Sequence, residues 1–346
     1  MADRPSFPKS KNPEPHDQNR LSARDLTVCV KKGGKINKIL KNISFHIDEG
    51  EILGLAGESG CGKSVTALSI SALLPEEIKI TEGEIIYKGF NIACPLGENK
   101  TRGVRTNEIS VVFQDARQAL NPLMKAGFQI REALDLSQIH DQPTGKSRQR
   151  AENKSKSLEL LSSLGFDNPE KVYNAYPHQL SGGMCQRIMT AIAIIRYPKL
   201  LLADELSSSL DEESLKRCMS LLLEMNQNNK MSVLLISHDL QVIQKYCGRY
   251  LIMYAGRIIE EGQAASLFNP LHPYTKALVN AIPNYEKRGK TLECIGGITP
   301  SVEDQTEGCP FSPRCSRAEN ICRQNFPAAK KIKDKTVYCN FPENRN

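Results

Sequence analysis

Residues Ile52 to Thr66 read ILGLAGESGCGKSVT: a short apolar run, a glycine-rich turn, then a lysine, a hydroxyl and the start of a helical pattern. This is the wording of a phosphate cradle. Gly57, Gly60 and Gly62 allow the backbone to turn so tightly that successive amide N–H groups face one anion at the positive end of the following helix. Lys63 is placed to neutralise the β- and γ-phosphates of a nucleotide, and Ser64 to put its hydroxyl on Mg²⁺. The bland alternative is a glycine turn without function. The apolar strand pattern before the turn and the helical pattern after it argue for a P-loop, with Gly57, Glu58, Ser59, Gly60, Cys61, Gly62, Lys63, Ser64 and Val65 as the expected ATP contacts.

A chain of 346 residues suits one large domain with a smaller one, or two domains. The net charge of +7 is spread along the chain rather than gathered into a patch, so nucleic acid is not an expected partner. No run of 18 or more apolar residues occurs, and the first twenty residues lack the apolar core of a signal peptide. A cytosolic protein is expected. Eleven cysteines in a reducing compartment do not read as a disulfide framework, leaving metal ligation or buried thiols.

Outward from the loop, the pattern divides the chain into three. Residues 1–20 are polar, proline-containing and without periodicity, and are expected to be flexible. Leu26 to Val30 and Ile43 to Ile47 read as a hairpin leading into the P-loop strand, and Gly83 to Tyr87 and Ile109 to Phe113 as further strands around a polar loop. Ile130 to Leu136 and Lys146 to Leu164 carry apolar residues at three- and four-residue spacing, a helical insert. Leu200 to Ala203, Ser232 to Ile236 and Tyr250 to Met253 are short apolar runs separated by helical stretches, as in a doubly wound parallel sheet. The expected fold is α/β: an antiparallel β subdomain, a mixed doubly wound core sheet and a helical insert over 21–270, then a cysteine-rich extension over 271–346.

Several downstream segments fit the same machine. SVVFQD ends a strand with Gln114, whose amide is placed to complete Mg²⁺ coordination or orient a water; alone, it is an ordinary polar strand end. LSGGMCQR puts Ser181 and two glycines before a helical pattern, a second anion-binding helix start or else a simple turn. LLLADE is a buried strand ending in two carboxylates: Asp204 for the Mg²⁺ shell, Glu205 as general base on the attacking water. His238 follows another apolar strand, where it is structural or contacts the γ-phosphate.

That order and wording resemble the ATP-binding subunits of ABC transporters. The resemblance runs from about Leu26 to the C-terminus and rests on the Walker A loop at Gly57 to Ser64, the Q-loop at Gln114, the signature at Leu180 to Gln186, Walker B at Leu200 to Asp204 with Glu205, and the switch histidine His238. It implies that two cassettes sandwich two ATPs head to tail. The signature residues Leu180, Ser181, Gly182, Gly183, Met184, Cys185 and Gln186 then serve the partner's nucleotide, with Asp211 in the D-loop. The helical insert and Q-loop are implied to dock on membrane subunits. The family's aromatic near Val30 and the proline common after Glu205 are absent here, Leu206 standing in the second place. Cys61 and Cys185 read as small fillers, with a redox-sensitive thiol in the loop as the sharper alternative.

YPHQLSGGMCQR, MYAGRIIEEG, NPLHPYTKALVNAIP and CPFSPRC are similar to the oligopeptide/dipeptide importer subfamily. The implied function is peptide import driven by ATP hydrolysis at the cytoplasmic face of the membrane. The implied partners are two multi-span permeases, a second ATPase subunit and, indirectly, an extracytoplasmic solute-binding protein. Import of nickel, a metallophore or another solute, and a soluble accessory ATPase, are the alternatives. In the tail, Cys309, Cys315, Cys322 and Cys339 are separated by five, six and sixteen residues, a four-thiolate set without the C-x₂₋₄-C pair of structural zinc sites. The subfamily resemblance implies a [4Fe-4S] cluster on these four, with Zn²⁺ as the alternative.

Overall fold

A computed structural model describes residues 19–93, 103, 107–135, 146–283, 295–304 and 307–343. Residues 1–18, most of the polar loop before Ile109, and Leu136 at the end of the expected insert helix lie outside the described residues. The first strand, β1 (Asn19–Lys32), begins within the segment expected to be flexible and turns at Gly33 and Gly34, both at positive φ, into β2 (Lys35–Asp48). Leu21, Ala23, Leu26 and Val28 face Ile47, Phe45, Ile43 and Leu40 across this antiparallel pair. The chain continues through β3 (Ile52–Ala56), the glycine loop and α1 (Lys63–Ser71) into β4 (Ile78–Tyr87) and β5 (Phe90–Asn91). Strands β2, β1, β4 and β5, in that order, make the antiparallel sheet.

Beyond it come β6 (Ile109–Val112), α2 (Ala116–Ala119), α3 (Ala126–Asp135), α4 (Lys146–Ser163), α5 (Pro169–Asn174) and α6 (Gly182–Ile194). The second half runs β7 (Leu200–Asp204), α7 (Glu212–Asn229), β8 (Ser232–Ile236), α8 (Leu240–Tyr246), β9 (Arg249–Tyr254), β10 (Arg257–Gln263), α9 (Pro273–Asn280), α10 (Asn320–Gln324), β11 (Lys330–Ile332) and β12 (Lys335–Val337). The core sheet has the order β11-β12-β10-β9-β3-β8-β7-β6. Strands β9 through β6 run parallel and the rest antiparallel.

Every residue of β3, β7 and β8 is buried, because both faces of the parallel strands are covered. The period of two sorts them. Leu200, Leu202, Leu234 and Ile236 join Leu53, Leu55 and the inward side chains of β1 and β2 in one core. Leu201, Ala203, Val233 and Leu235 join Ile188, Ala191, Met219 and Leu222 of the helices in the other.

The extension expected from 271 has no sheet of its own among the described residues. Its strands β11 and β12 are outer strands of the core sheet, and Cys309, Phe311 and Cys322 share one core with Tyr250, Ile252, Tyr254 and Tyr274. The turn into α9 is held by Glu260, which is wholly buried on β10. Its carboxylate accepts from Tyr250 Oη at 2.8 Å, Leu271 N at 3.2 Å and His272 N at 2.7 Å, with Lys335 Nζ at 3.9 Å. Glu260→Ala strands those donors beside a buried cation and should lower the unfolding free energy by about 3 kcal/mol or more. Urea unfolding measures this; an unchanged midpoint would show that the turn does not depend on the carboxylate.

Candidate functional site

The glycine loop leaves β3, an interior strand flanked by β8 and β9. Gly57, Gly60 and Gly62 have φ of 153°, 80° and 110°, a region L side chains avoid. At Gly57 space forbids a side chain as well, since a Cβ there would stand 2.2 Å from the Met253 carbonyl oxygen. Lys63, 6 % exposed, donates from Nζ to the carbonyls of Gly57 at 2.8 Å and Glu58 at 3.0 Å, which pins the ammonium across the loop. No acidic residue sits in the first turn of α1, so the positive end of the helix is unopposed. Cys61 is buried and burial pushes its thiol up, so it stays neutral and packs as a filler.

Asp204 ends β7 at 7 % exposure. Burial pushes its carboxyl up, against the Ser64 hydroxyl that hydrogen-bonds it and the nearby Lys63 ammonium, which pull it down. Its Oδ1 is buried without a hydrogen-bond partner. A carboxylate oxygen left open beside a serine hydroxyl suits Mg²⁺, which takes one or two carboxylates and fills its octahedron from phosphate and water. Ser64 and Asp204 therefore fit the ion expected from the sequence.

The three residues expected to be catalytic follow the ends of three neighbouring strands: Gln114 after β6, Glu205 after β7 and His238 after β8. Glu205 Oε2 accepts from Gln114 Nε2 at 2.8 Å, and Glu205 Oε1 lies 3.8 Å from His238 Nδ1. The bond uses the Gln114 amide nitrogen and leaves its amide oxygen, the atom expected to serve Mg²⁺ or a water, outside this contact. Glu205 itself is not part of the strand. It sits at φ 53°, fixed by its N–H to the Ile236 carbonyl at 3.0 Å and by Ser208 Oγ on its own carbonyl at 2.9 Å. Leu206, in the place of the family's proline, is buried in the core.

Ser181 caps α6, accepting from Met184 N at 3.2 Å, and Gly183 lies so close to Ser209 that a Cβ would meet its carbonyl oxygen at 2.8 Å. Asp211 caps α7 through Ser214 N at 2.9 Å and Oγ at 3.0 Å, bonds that hold its carboxyl below the usual range. Ser181 is exposed, with Gly182, Gly183 and Met184 half-buried; Leu180, Cys185 and Gln186 point inward. Among the described residues no hydrogen bond joins this signature to residues 57–65.

Cys309, Cys315, Cys322 and Cys339 line one pocket together with His272 and Phe311. All four are free thiols, and burial pushes up Cys315, Cys339 and, to about 12, Cys309. His272 accepts from Tyr274 N at Nδ1, leaves its buried Nε2 without a partner, and is kept neutral by burial, its pKa pushed down to about 3. Among the described residues no group of three or more His, Cys, Asp or Glu side chains is gathered to hold a metal ion. Neither the [4Fe-4S] cluster nor the Zn²⁺ expected from the sequence therefore meets a ready-made ligand group. Four sulfurs line one pocket beside the unpartnered imidazole edge of His272.

Two contributors went unread in the sequence. Tyr274 Oη accepts the Glu58 N–H at 2.8 Å, and Arg314 holds the Glu58 carboxylate through two nitrogens at 2.7 and 3.0 Å. They lie within HPYT and CPFSPRC, segments whose wording signalled kinship but no chemistry.

Residues 40–208 match the family model described as ABC transporter, and residues 259–322 the one described as oligopeptide/dipeptide transporter, C-terminal region. The chain is 41 % identical over 315 residues to a probable peptide ABC transporter ATP-binding protein, y4tR, of Sinorhizobium fredii, covering 90 % of this chain and 91 % of the relative. It is 39 % identical to the dipeptide transport ATP-binding protein DppD of Haemophilus influenzae, covering 94 % and 96 %. Among solved structures, a dimeric post-hydrolysis state of the ATP-binding cassette MJ0796 bound to ADP and Pi superposes with a TM-score of 0.62 at 28 % identity, over 70 % of this chain and 98 % of that one. With the glycine loop, the Ser64–Asp204 pair and the Glu205 carboxylate between Gln114 and His238 gathered at the ends of neighbouring strands, the chain belongs to the ABC transporter ATP-binding subunits, in the branch that carries the oligopeptide/dipeptide C-terminal region.

Proposed function

We propose that this chain hydrolyses ATP to drive peptide import across the cytoplasmic membrane, as the nucleotide-binding subunit of a complex with two membrane permeases and a second cassette. The observation that carries the chemistry is the meeting of Gln114 and His238 on Glu205, beside the Ser64–Asp204 pair. The peptide substrate is supported by the relatives, whose names specify dipeptide, oligopeptide or peptide transport. No helix among the described residues is long and apolar enough to cross a membrane, in keeping with a subunit that reaches it through partners.

In this reading the backbone N–H groups after Gly60 receive the phosphate oxygens, and Lys63 spans the β- and γ-phosphates. Ser64 and Asp204 would hold Mg²⁺, which when bound offsets charge on the bridging oxygens. Glu205 takes the proton of the attacking water while Gln114 fixes the carboxylate's orientation and His238 stands where the γ-phosphate ends. Ser181 and Gly183 complete the site of the opposite cassette, so a lone chain lacks half of its transition-state contacts.

For the pocket of Cys309, Cys315, Cys322 and Cys339 the reading is a [4Fe-4S] cluster in a structural role. Their convergence as free thiols on one pocket supports it.

Glu205→Gln in the assembled complex should keep ATP binding and cut hydrolysis by roughly 10²- to 10⁴-fold; turnover at the parent rate would remove Glu205 from the role of base. Asp204 carries a carboxyl whose folded pKa is raised, so its ionised form destabilises the fold above that pKa and the effect fades as pH falls through it. Asp204→Asn should therefore melt higher than the parent above neutral pH, lose that advantage in mild acid, and gain less than the parent from added Mg²⁺ and ATP. An Asn variant that melts lower at every pH would contradict this. Protein purified without oxygen should be brown with about four irons per chain, and Cys322→Ser should lose the colour while retaining ATP binding; colourless parent protein under those conditions would refute the cluster.

A further inference from the structure

Glu58 is an acidic residue inside a loop shaped to receive a polyanion. Its charge is met from the other end of the chain. Arg314 Nη1 lies 2.7 Å from Glu58 Oε2 and Nη2 lies 3.0 Å from Oε1, a bidentate pair, and Thr299 Oγ1 adds a bond to Oε2 at 2.9 Å. The guanidinium is only 5 % exposed, and its remaining donors are committed: Nε to the Gly296 carbonyl at 2.7 Å, Nη2 to the Ile295 carbonyl at 3.1 Å and Nη1 to Tyr254 Oη at 3.0 Å. The plane of the fork is therefore set before it meets Glu58.

We propose that Arg314 is a positioning residue for ATP binding, holding Glu58 so that the phosphate loop keeps its receptive shape and its own carboxylate does not repel the phosphates. The route to the nucleotide is short. The Glu58 carbonyl is one of the two carbonyls that pin Lys63 Nζ, at 3.0 Å, while the Glu58 N–H is fixed by Tyr274 Oη. Arg314 thus acts on the phosphate-binding lysine through a single intervening residue. The next residue, Cys315, lines the cysteine pocket, so pocket and phosphate loop are joined by one step of backbone. The inference rests on the reading of residues 57–64 as the ATP site.

The test uses the full-length chain in its complex, with equilibrium binding of labelled ATP and steady-state hydrolysis. Arg314→Ala should weaken ATP binding by about 10-fold or more, raising KM by that factor with a smaller change in kcat, because Gln114, Glu205 and His238 are untouched. Arg314→Lys, which keeps the charge but not the fork, should fall between. The Glu58→Ala, Arg314→Ala double variant should bind no worse than Arg314→Ala alone. Lys276→Ala, which removes an ion pair to Glu343 of 3.2 Å in the same region of the fold, should bind ATP like the parent. Additive effects in the double variant, or equal losses in Arg314→Ala and Lys276→Ala, would overturn the proposal. If Arg314→Ala does not fold, Arg314→Lys and Glu58→Gln take its place, and an unchanged KM in both overturns it. Lys63→Ala separates the two levels: loss of binding there with none in the Arg314 variants defeats the positioning role alone, whereas parent-like binding by Lys63→Ala defeats the site assignment and this inference with it.

Discussion

The phosphate loop depends on the close approach of the Gly57 backbone to the Met253 carbonyl, where no side chain fits. It joins the end of β3 to the end of β9 and sets where the loop begins. From that point the rest follows geometrically. The loop folds back over Lys63, whose ammonium is held by the Gly57 and Glu58 carbonyls rather than left to solvent. The strands on the other side of β3 end at the same level and carry Asp204, Glu205 and His238 to it. An interior position in a sheet covered on both faces supplies the rigidity that such placement needs.

Much of this was legible because the signals were local. Unbroken apolar runs gave β7 and β8 within a residue of their bounds, and the string from Gly57 to Ser64 announced loop and helix together. What could not be read is nonlocal. Nothing in a five-residue run says that β3 lies between β8 and β9, strands some 180 to 200 positions away by their pairing of Leu53 with Leu234 and Arg249. Nothing in LLLADE says that the strand stops between its two acids, which follows from the positive φ of Glu205 and its tie to Ile236. Gln114 was placed by its strand end and the Q-loop wording, and only folding shows that its amide reaches Glu205. The four cysteines read as a set in the sequence, but only folding shows that Cys322 on α10 and Cys339 after β12 reach the pocket of Cys309 and Cys315.

The segment beyond 270 is bound to the cassette by three kinds of contact. Its aromatic rings pack with Tyr254, at centroid distances of 4.5 Å for Tyr274 and 5.4 Å for Phe311. Its turn is fastened by the buried Glu260, and its arginine reaches the loop. A segment with so little apolar content of its own gains its order from surfaces the cassette already presents.

The pairing of β12 with β10 has a further consequence, for the solubility of the chain. A sheet ends in a row of unpaired N–H and C=O groups that invites another chain to add a strand. Here β10 does not form that border, because β12 covers it and the outermost strand is β11, three residues long with exposed Lys330 and Lys331. A short, doubly charged border is a poor template for strand addition. A chain cut back before β12 would bare the seven-residue β10 instead, so insolubility after truncation would report an uncovered sheet border and not a lesion in catalysis.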